Sequence, residues 1–412
     1  MIIQQIRNAT LKIKYGGISF LLDPWLQDQG TGFSVKTVRP EFQGQGFMRK
    51  ILDDVYKVAG KKNIPVILDT DDKDKAARYE HLGMKLERIR NCGENEPDYG
   101  IHEKRKKMMS VQIESCTIEK NGFNAFYYPG NLADDMAIIS VGGASCDEKT
   151  SIAMSGFLRK AGYNVLVLGF YMWKGMSKNL VSIPIDYVGK AVDWLKNEKG
   201  IKKIVMTGAS TGAGYTLACA SLIKEIGCVI PIVPFDYVME GTTSSFKRLG
   251  RSVYTWHGED LPFSPWTIIE KGIPKIFFEA VKDKKYGLSR FMRYGYDHNP
   301  VKEESRIKIE NMHAAVLFLA VENDDGWPSA EAVQRMVAIL KEKNYPYRVE
   351  SKIYENASHA LTDGLDQMKG YAKWAFKHLL PAEKKYPEEC EQARKDSFKR
   401  ILTFIEEWRG LK

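Results

Sequence analysis

From about residue 108 to the C-terminus the sequence predicts an α/β fold, a mostly parallel sheet with helices on both faces. Three observations carry the prediction. Short apolar runs of strand length, such as Met136-Ala137-Ile138-Ile139-Ser140-Val141 and Ala315-Val316-Leu317-Phe318-Leu319-Ala320-Val321, are apolar at nearly every position. Such runs suit parallel strands covered on both faces. Helix-length segments separate them, as crossover connections require. One strand, Ile204-Val205-Met206-Thr207, runs through a glycine-rich turn straight into a helix of small residues.

The remaining elements follow in order. Val111 to Tyr128 is long enough for a pair of strands. Tyr215 to Lys224 reads as the helix after the glycine turn, and Tyr347 to Tyr354 alternates like a strand. Between them, about 236–310 reads as an insertion rich in aromatics, among them Phe246, Tyr254, Trp256, Trp266, Phe277, Phe278 and Tyr294. Ordinary packing of a covering segment and a lipophilic pocket for an acyl chain both fit that composition.

Composition narrows the function classes. The chain has 412 residues, 44% hydrophobic and 27% charged, ordinary for a globular protein. Its apolar runs are far too short to span a bilayer. The first residues show no charged leader followed by an apolar stretch, so a cytoplasmic location is expected. The six cysteines are widely spaced and form no C-x-x-C pair, which points to reduced thiols rather than a zinc site or a disulfide framework. The net charge of +9 is scattered, and no aromatic residues interleave with a basic stripe, so nucleic acid is not an expected partner. A small-molecule substrate is expected; the oligomeric state is not fixed by these features.

The chemistry concentrates at Gly208-Ala209-Ser210-Thr211-Gly212, the single G-x-S-x-G in the chain. Between a strand and a helix this pattern is a nucleophile elbow of the α/β-hydrolase type, with Ser210 as nucleophile. An acid and then a histidine must follow in the chain. Of the seven histidines, His359 lies in the loop directly after the Tyr347–Tyr354 strand and is the expected base. The acid should follow Ala315–Val321. Asp325, the fourth residue beyond that strand, is the expected acid, with Asp324 as the alternative and Glu322 read as a cap of the sheet edge. One oxyanion donor is expected from the N–H of Thr211, the other from Gly143 or Ala144 in the loop after Met136–Val141.

These motifs, with Ser155-Gly156-Phe157-Leu158-Arg159-Lys160-Ala161-Gly162 and Asp324-Asp325-Gly326-Trp327-Pro328-Ser329, resemble the C-terminal domain of the acyl-CoA thioesterase / bile acid-CoA:amino acid N-acyltransferase family over almost all of 112–380. In that family a serine nucleophile accompanies hydrolysis and a cysteine acyl transfer. The resemblance therefore implies cleavage of a thioester or ester through an acyl-enzyme, with no cofactor. A carboxylesterase or dienelactone-hydrolase-like enzyme is the alternative. Family members usually carry an N-terminal β-sandwich, of which only Val111 to Tyr128 would remain here.

The first 107 residues read differently. Within 1–38, Ile6 to Tyr15 and Ile18 to Leu22 flank Gly16-Gly17 as a hairpin, then Asp23-Pro24-Trp25 follows. This resembles the opening of metallo-β-lactamase-like hydrolases, without their H-x-H-x-D-H metal run, so no metal is expected. Residues 39–104 resemble part of a GNAT acetyltransferase. There Gln43, Gly44, Gln45 and Gly46 match the acetyl-CoA pyrophosphate turn, helices are expected over 48–59 and 75–84, a strand over 64–70, and Tyr79 matches the general acid. N-acetyl transfer is what this second resemblance implies. Met108-Met109 follows a basic linker, and residues from 108 onward are expected to act as a hydrolase by themselves.

Overall fold

The computed structural model describes residues 113–131, 135–144, 146–286, 290–363, 370 and 380–410, together with the backbone of six strands between residues 2 and 103. The chain divides into two units, Met1–Ser110 and Val111–Lys412.

The second unit is built on one eight-stranded sheet. Its strands are β1 (Glu114–Cys116), β2 (Asn124–Tyr128), β3 (Met136–Val141), β4 (Asn164–Gly169), β5 (Lys203–Ala209), β6 (Ile226–Ile232), β7 (Ala315–Val321) and β8 (Val349–Tyr354). They lie in the order β8-β7-β6-β5-β3-β4-β2-β1. β3 to β8 run parallel to one another. β2 pairs antiparallel with β4, and β1 antiparallel with β2. The strand pair expected over Val111 to Tyr128 is thus the edge of the eight-stranded sheet itself rather than the remnant of a separate sandwich.

Every residue of β3, β4 and β7 is buried, so both faces must be covered. Successive side chains of a strand point to opposite faces, and the two cores divide accordingly. Ile139, Met206 and Phe318 join one cluster; their chain neighbours Ile138, Val205 and Leu317 join the other. Among the described residues, the helices of seven residues or more are α1 (Glu148–Met154), α2 (Asp186–Lys199), α3 (Thr211–Leu222), α4 (Ile273–Lys282), α5 (Phe291–His298), α6 (Ser329–Glu342) and α7 (Pro387–Trp408). α2, α3 and α6 bury residues such as Leu195, Tyr215 and Met336 in the first core. α7 buries Ile401, Phe404 and Ile405 in the second. Local signals stop and start these helices: Asp147 caps α1 by accepting from the Thr150 N–H, and Gly200, at φ +67°, ends α2.

Because β3, β5 and β7 are parallel, the loops at their C-terminal ends lie at one edge of the sheet, where open α/β sheets bind ligands. These loops begin at Gly142, Ser210 and Glu322. The segment between β6 and β7 is the expected insertion. It carries an antiparallel pair, Glu240–Thr242 with Arg248–Ser252, and then α4 and α5. Of its aromatics, Tyr254, Trp266, Tyr286 and Tyr294 are buried packing residues, whereas Phe246, Phe277 and Phe278 are exposed.

In the first unit, Leu11–Tyr15 and Ile18–Leu22 pair antiparallel with Tyr15 opposite Ile18, as the double-glycine turn predicts, and Ile2–Gln5 adds a third strand. Ile67–Thr70 and Met84–Asn91 flank Pro97–Glu103 in a second antiparallel sheet. The expected strand over 64–70 is this Ile67–Thr70 strand. The expected helix over 48–59, most of the one over 75–84, and Gln43, Gly44, Gln45, Gly46 and Tyr79 lie outside the described residues.

Candidate active site

Ser210 sits between β5 and α3 at φ +55° and ψ −123°, a conformation that non-glycine residues rarely adopt. Such strain persists only where the surroundings enforce it, and here they do. The Ser210 N–H donates to the Ile232 carbonyl of β6 at 2.9 Å, pinning the turn to the sheet. The glycines two residues away are a steric requirement. A Cβ on Gly208 would stand 2.4 Å from the Gly212 carbonyl oxygen, and one on Gly212 would stand 1.9 Å from that of Gly142. Both are backbone atoms that cannot swing aside.

His359 reaches this serine from the loop after β8. Its Nε2 lies 2.8 Å from Ser210 Oγ. Its Nδ1 lies 2.6 Å from Oδ1 of Asp324. The acid expected from the sequence was Asp325; the structure places Asp324 on the imidazole instead. The reason is local. Asp324 Oδ1 also accepts the Gly326 N–H at 2.8 Å, the short-range bond by which aspartates close turns, and its Oδ2 accepts from Ser329 Oγ at 2.6 Å. These bonds aim the fully buried Asp324 carboxylate at the ring. Asp325, one residue on, points elsewhere; it is 7% exposed, and its Oδ2 has no partner among the described residues. Glu322 is exposed at the end of β7, its N–H donating to the Tyr354 carbonyl.

The electrostatics agree with this placement. Burial would raise the Asp324 pKa, but the facing His359 charge and the bonds from His359, Ser329 and Gly326 outweigh it and hold the carboxyl below its ordinary range. Burial would lower the His359 pKa, but Asp324, by charge and hydrogen bond, and then Asp325 by charge, raise it above the usual histidine value. Asp325 is pushed up to about 6 by burial and by the neighbouring Asp324 charge, against the opposing pull of Arg290.

Two further residues fix the ring. Gly326 lies flat against it, so that a Cβ there would stand 2.9 Å from the imidazole carbon and nitrogen. Trp327 meets it edge-on, with centroids 5.6 Å apart, and is itself held by its Nε1 donating to the Val233 carbonyl at 2.8 Å. Sequence reasoning passed over both. The D-x-G-W-x-S spacing around Asp324 was the signal: an aspartate with glycine two residues on and serine five residues on can satisfy both of its oxygens.

Around the serine hydroxyl, the Thr211 N–H opens α3 and so has no acceptor within the helix. The loop after β3 lies alongside, a Cβ on Gly143 standing 3.4 Å from Ser210 Cβ. The Gly143 N–H, however, donates to Cys146 Sγ at 3.2 Å. Of the two expected donors from this loop, Gly143 is therefore engaged, and Ala144, exposed and without a backbone partner among the described residues, is the one left.

Among the described residues, the other histidines bond elsewhere. His257 pairs with Asp186 on the surface, His298 bonds to the Tyr294 carbonyl, and His313 meets Tyr347. His378 lies outside the described residues. Four of the described cysteines, Cys116, Cys219, Cys228 and Cys390, are buried free thiols.

Sheet order, elbow and histidine loop together define the fold class as an α/β-hydrolase. Residues 183–363, which include Ser210, Asp324 and His359, match the family described as BAAT / Acyl-CoA thioester hydrolase C terminal. Acyl-coenzyme A thioesterase 1 of Mus musculus is 26% identical over 221 residues, covering 52% of this chain and 46% of the mouse protein. The mitochondrial acyl-coenzyme A thioesterase 2 of Rattus norvegicus is 26% identical over 265 residues, covering 60% of this chain and 52% of the rat protein. The chain thus spans about half the length of these curated relatives. Among solved structures, an esterase of Pyrococcus furiosus aligns with a TM-score of 0.41 at 15% identity, over 79% of this chain and 97% of that one. Among the described residues no helix is long and apolar enough to cross a membrane.

Proposed function

We propose that the unit from Val111 to Lys412 is a serine hydrolase that cleaves thioesters or esters, with acyl-CoA thioesters as the first substrate class. The observation that carries this reading is the continuous chain Ser210 Oγ, His359 Nε2, His359 Nδ1, Asp324 Oδ1, mounted on a strained elbow. The match of residues 183–363 to an acyl-CoA thioester hydrolase family supports the choice of thioester.

In the proposed cycle His359 takes the Ser210 proton as Oγ attacks the carbonyl carbon. The developing oxyanion is met by the Thr211 and Ala144 N–H groups at the positive end of α3. The tetrahedral intermediate collapses as His359 gives its proton to the departing thiol or alcohol. Water, deprotonated by His359, then releases the acid from the serine ester. Asp324 holds the ring in the tautomer with Nδ1 protonated and stabilises the imidazolium. No cofactor enters these steps.

Labelling by a fluorophosphonate probe tests the reading. The wild-type chain is expected to label and Ser210→Ala not to; an unlabelled wild type, or labelling that survives the substitution, overturns it. Comparing kcat/KM for acyl-CoA with that for p-nitrophenyl esters of matched chain length decides the substrate. Preference for the thioester supports the assignment, and preference for the oxygen ester makes the protein a carboxylesterase.

A further inference from the structure

The helix α4 in the insertion buries one side and leaves an apolar stripe on the other. Ile276 and Ala280 are buried beneath it. Pro274, Phe277, Phe278 and Val281 follow at intervals of three and four and therefore share one face. That face is open to solvent: Phe277 is 39%, Phe278 57% and Val281 45% exposed. Burying such side chains releases more free energy than any interaction they make with water, and contiguous exposed apolar surface marks a contact site.

Charge indicates what the stripe meets. Lys275 and Lys282, seven residues apart on the same helix, line one flank of the stripe, and Lys284 follows its end. Lys282 and Lys284 have no carboxylate partner among the described residues, and Lys275 shares the Glu279 charge with Lys271, whereas Lys285 is paired with Asp297. Lys282 Nζ lies 4.5 Å over the Phe278 ring, its stem along the apolar surface and its charge at the rim. Aromatics on the outward crest with lysines beside them are the arrangement of a helix that lies in the headgroup layer of an anionic membrane. A second copy of this stripe would bring the lysines of both copies together.

The segment after the helix reaches the candidate site. α5 follows it within the insertion, and just ahead of α5 Arg290 donates to the Asp324 carbonyl oxygen at 3.3 Å, while Arg293 bonds to Glu331 on α6. We infer that α4 docks this protein on an anionic lipid surface, Phe277, Phe278 and Val281 entering the acyl boundary and Lys275 and Lys282 meeting phosphate groups. The docking does not depend on the hydrolase reading.

Co-sedimentation of the full chain with vesicles tests it. Binding is expected to vesicles containing about one third phosphatidylglycerol and not to pure phosphatidylcholine, and to weaken as salt is raised. Phe277→Ser with Phe278→Ser is expected to lower the partition coefficient about tenfold or more. Lys275→Glu or Lys282→Glu lowers it about fivefold or more each, Phe278→Leu retains most of it, and Ser210→Ala leaves it unchanged. Unaltered thermal unfolding of the serine pair separates lost docking from lost folding. Equal binding to both vesicle types, no binding to either, or binding indifferent to the phenylalanines overturns the inference. So does a dimer in solution that the serine pair dissociates.

Discussion

His359 Nδ1 lies 2.6 Å from Asp324 Oδ1, while the next residue, Asp325, keeps its own buried carboxyl off the ring. Two adjacent carboxylates thus have separate positions, and substitution tells them apart. Asp324→Asn keeps the volume but removes the charge and favours the wrong tautomer. It is expected to lower kcat by about 10³–10⁴, the scale seen when such an acid is neutralised. It also removes the main influence raising the His359 pKa. The base must be neutral, so kcat/KM of the wild type rises with pH through an inflection above the ordinary histidine value, and in Asp324→Asn the inflection moves down. Asp325→Asn is expected to keep kcat within about tenfold. Steady-state kinetics across pH checks all three; a larger loss at Asp325 than at Asp324 would reverse the assignment.

Asp325 instead bears on stability. Its folded pKa is raised to about 6, so between its unfolded value and that pH the folded protein holds a proton the unfolded chain has released. The Asp325 contribution to stability therefore falls as pH rises from about 4 to about 6 and levels off above, the opposite sign to a carboxylate in an ion pair. A shift of this size corresponds to about 2–3 kcal/mol. Asp325→Asn removes that pH-dependent loss, so the variant is expected to gain on the wild type between pH 4 and 7 in urea unfolding. An unchanged difference across that range would show that the carboxyl finds a partner when charged.

Gly326 and Gly212 are both crowded but by different neighbours, and the consequences differ. A Cβ at Gly212 meets backbone at 1.9 Å, which only a rebuilt elbow can relieve. Gly212→Ala is expected to cost several kcal/mol, on the order of a disrupted core, and to abolish activity. A Cβ at Gly326 meets the imidazole, a side chain that moves only by giving up Ser210 or Asp324. Gly326→Ala is expected to leave the melting temperature within a few degrees but reduce kcat about 10–100-fold, since small misplacements of reacting groups are costly. Measuring both quantities on both variants separates fold from geometry.

What the sequence revealed and what it concealed follow the same physics. β3, β5 and β7 were legible because a strand buried on both faces must be apolar throughout, and Ser210 because a strained elbow demands glycines on either side. His359 was legible from its position after β8. The carboxylate that meets His359 lies one residue before the expected one because counting from the strand end ignores where side chains point; the bonds from Gly326 and Ser329 decide it. β1 and β2 were recognised as strands, but their place in the eight-stranded sheet depends on antiparallel pairing with β4, a contact that no local pattern encodes. The exposed crest of α4 was equally hidden, since its phenylalanines are indistinguishable in sequence from the buried aromatics around them.

The loop that carries His359 rests on a buried ion pair, and this sets one more expectation. Arg394 of α7 binds Glu383, with side chains 3% and 1% exposed, and the Ser358 hydroxyl, one residue before His359, donates to the same Glu383 oxygen. The Ser358 oxygen in turn accepts the Ala360 N–H at 3.2 Å, so both neighbours of His359 are tied to one anchor. Removing one partner of such a pair strands the other charge in the interior, at a cost of about 3–5 kcal/mol. Arg394→Met is therefore expected to lose about that much in urea unfolding. Glu383→Gln combined with Arg394→Met loses less than the single change, because no buried charge remains. If the anchor positions the histidine, Ser358→Ala lowers kcat with little change in KM while costing about 1.5–3 kcal/mol for the lost bond to a charged group. Wild-type kcat in Ser358→Ala would show that the imidazole is held by Asp324, Gly326 and Trp327 alone.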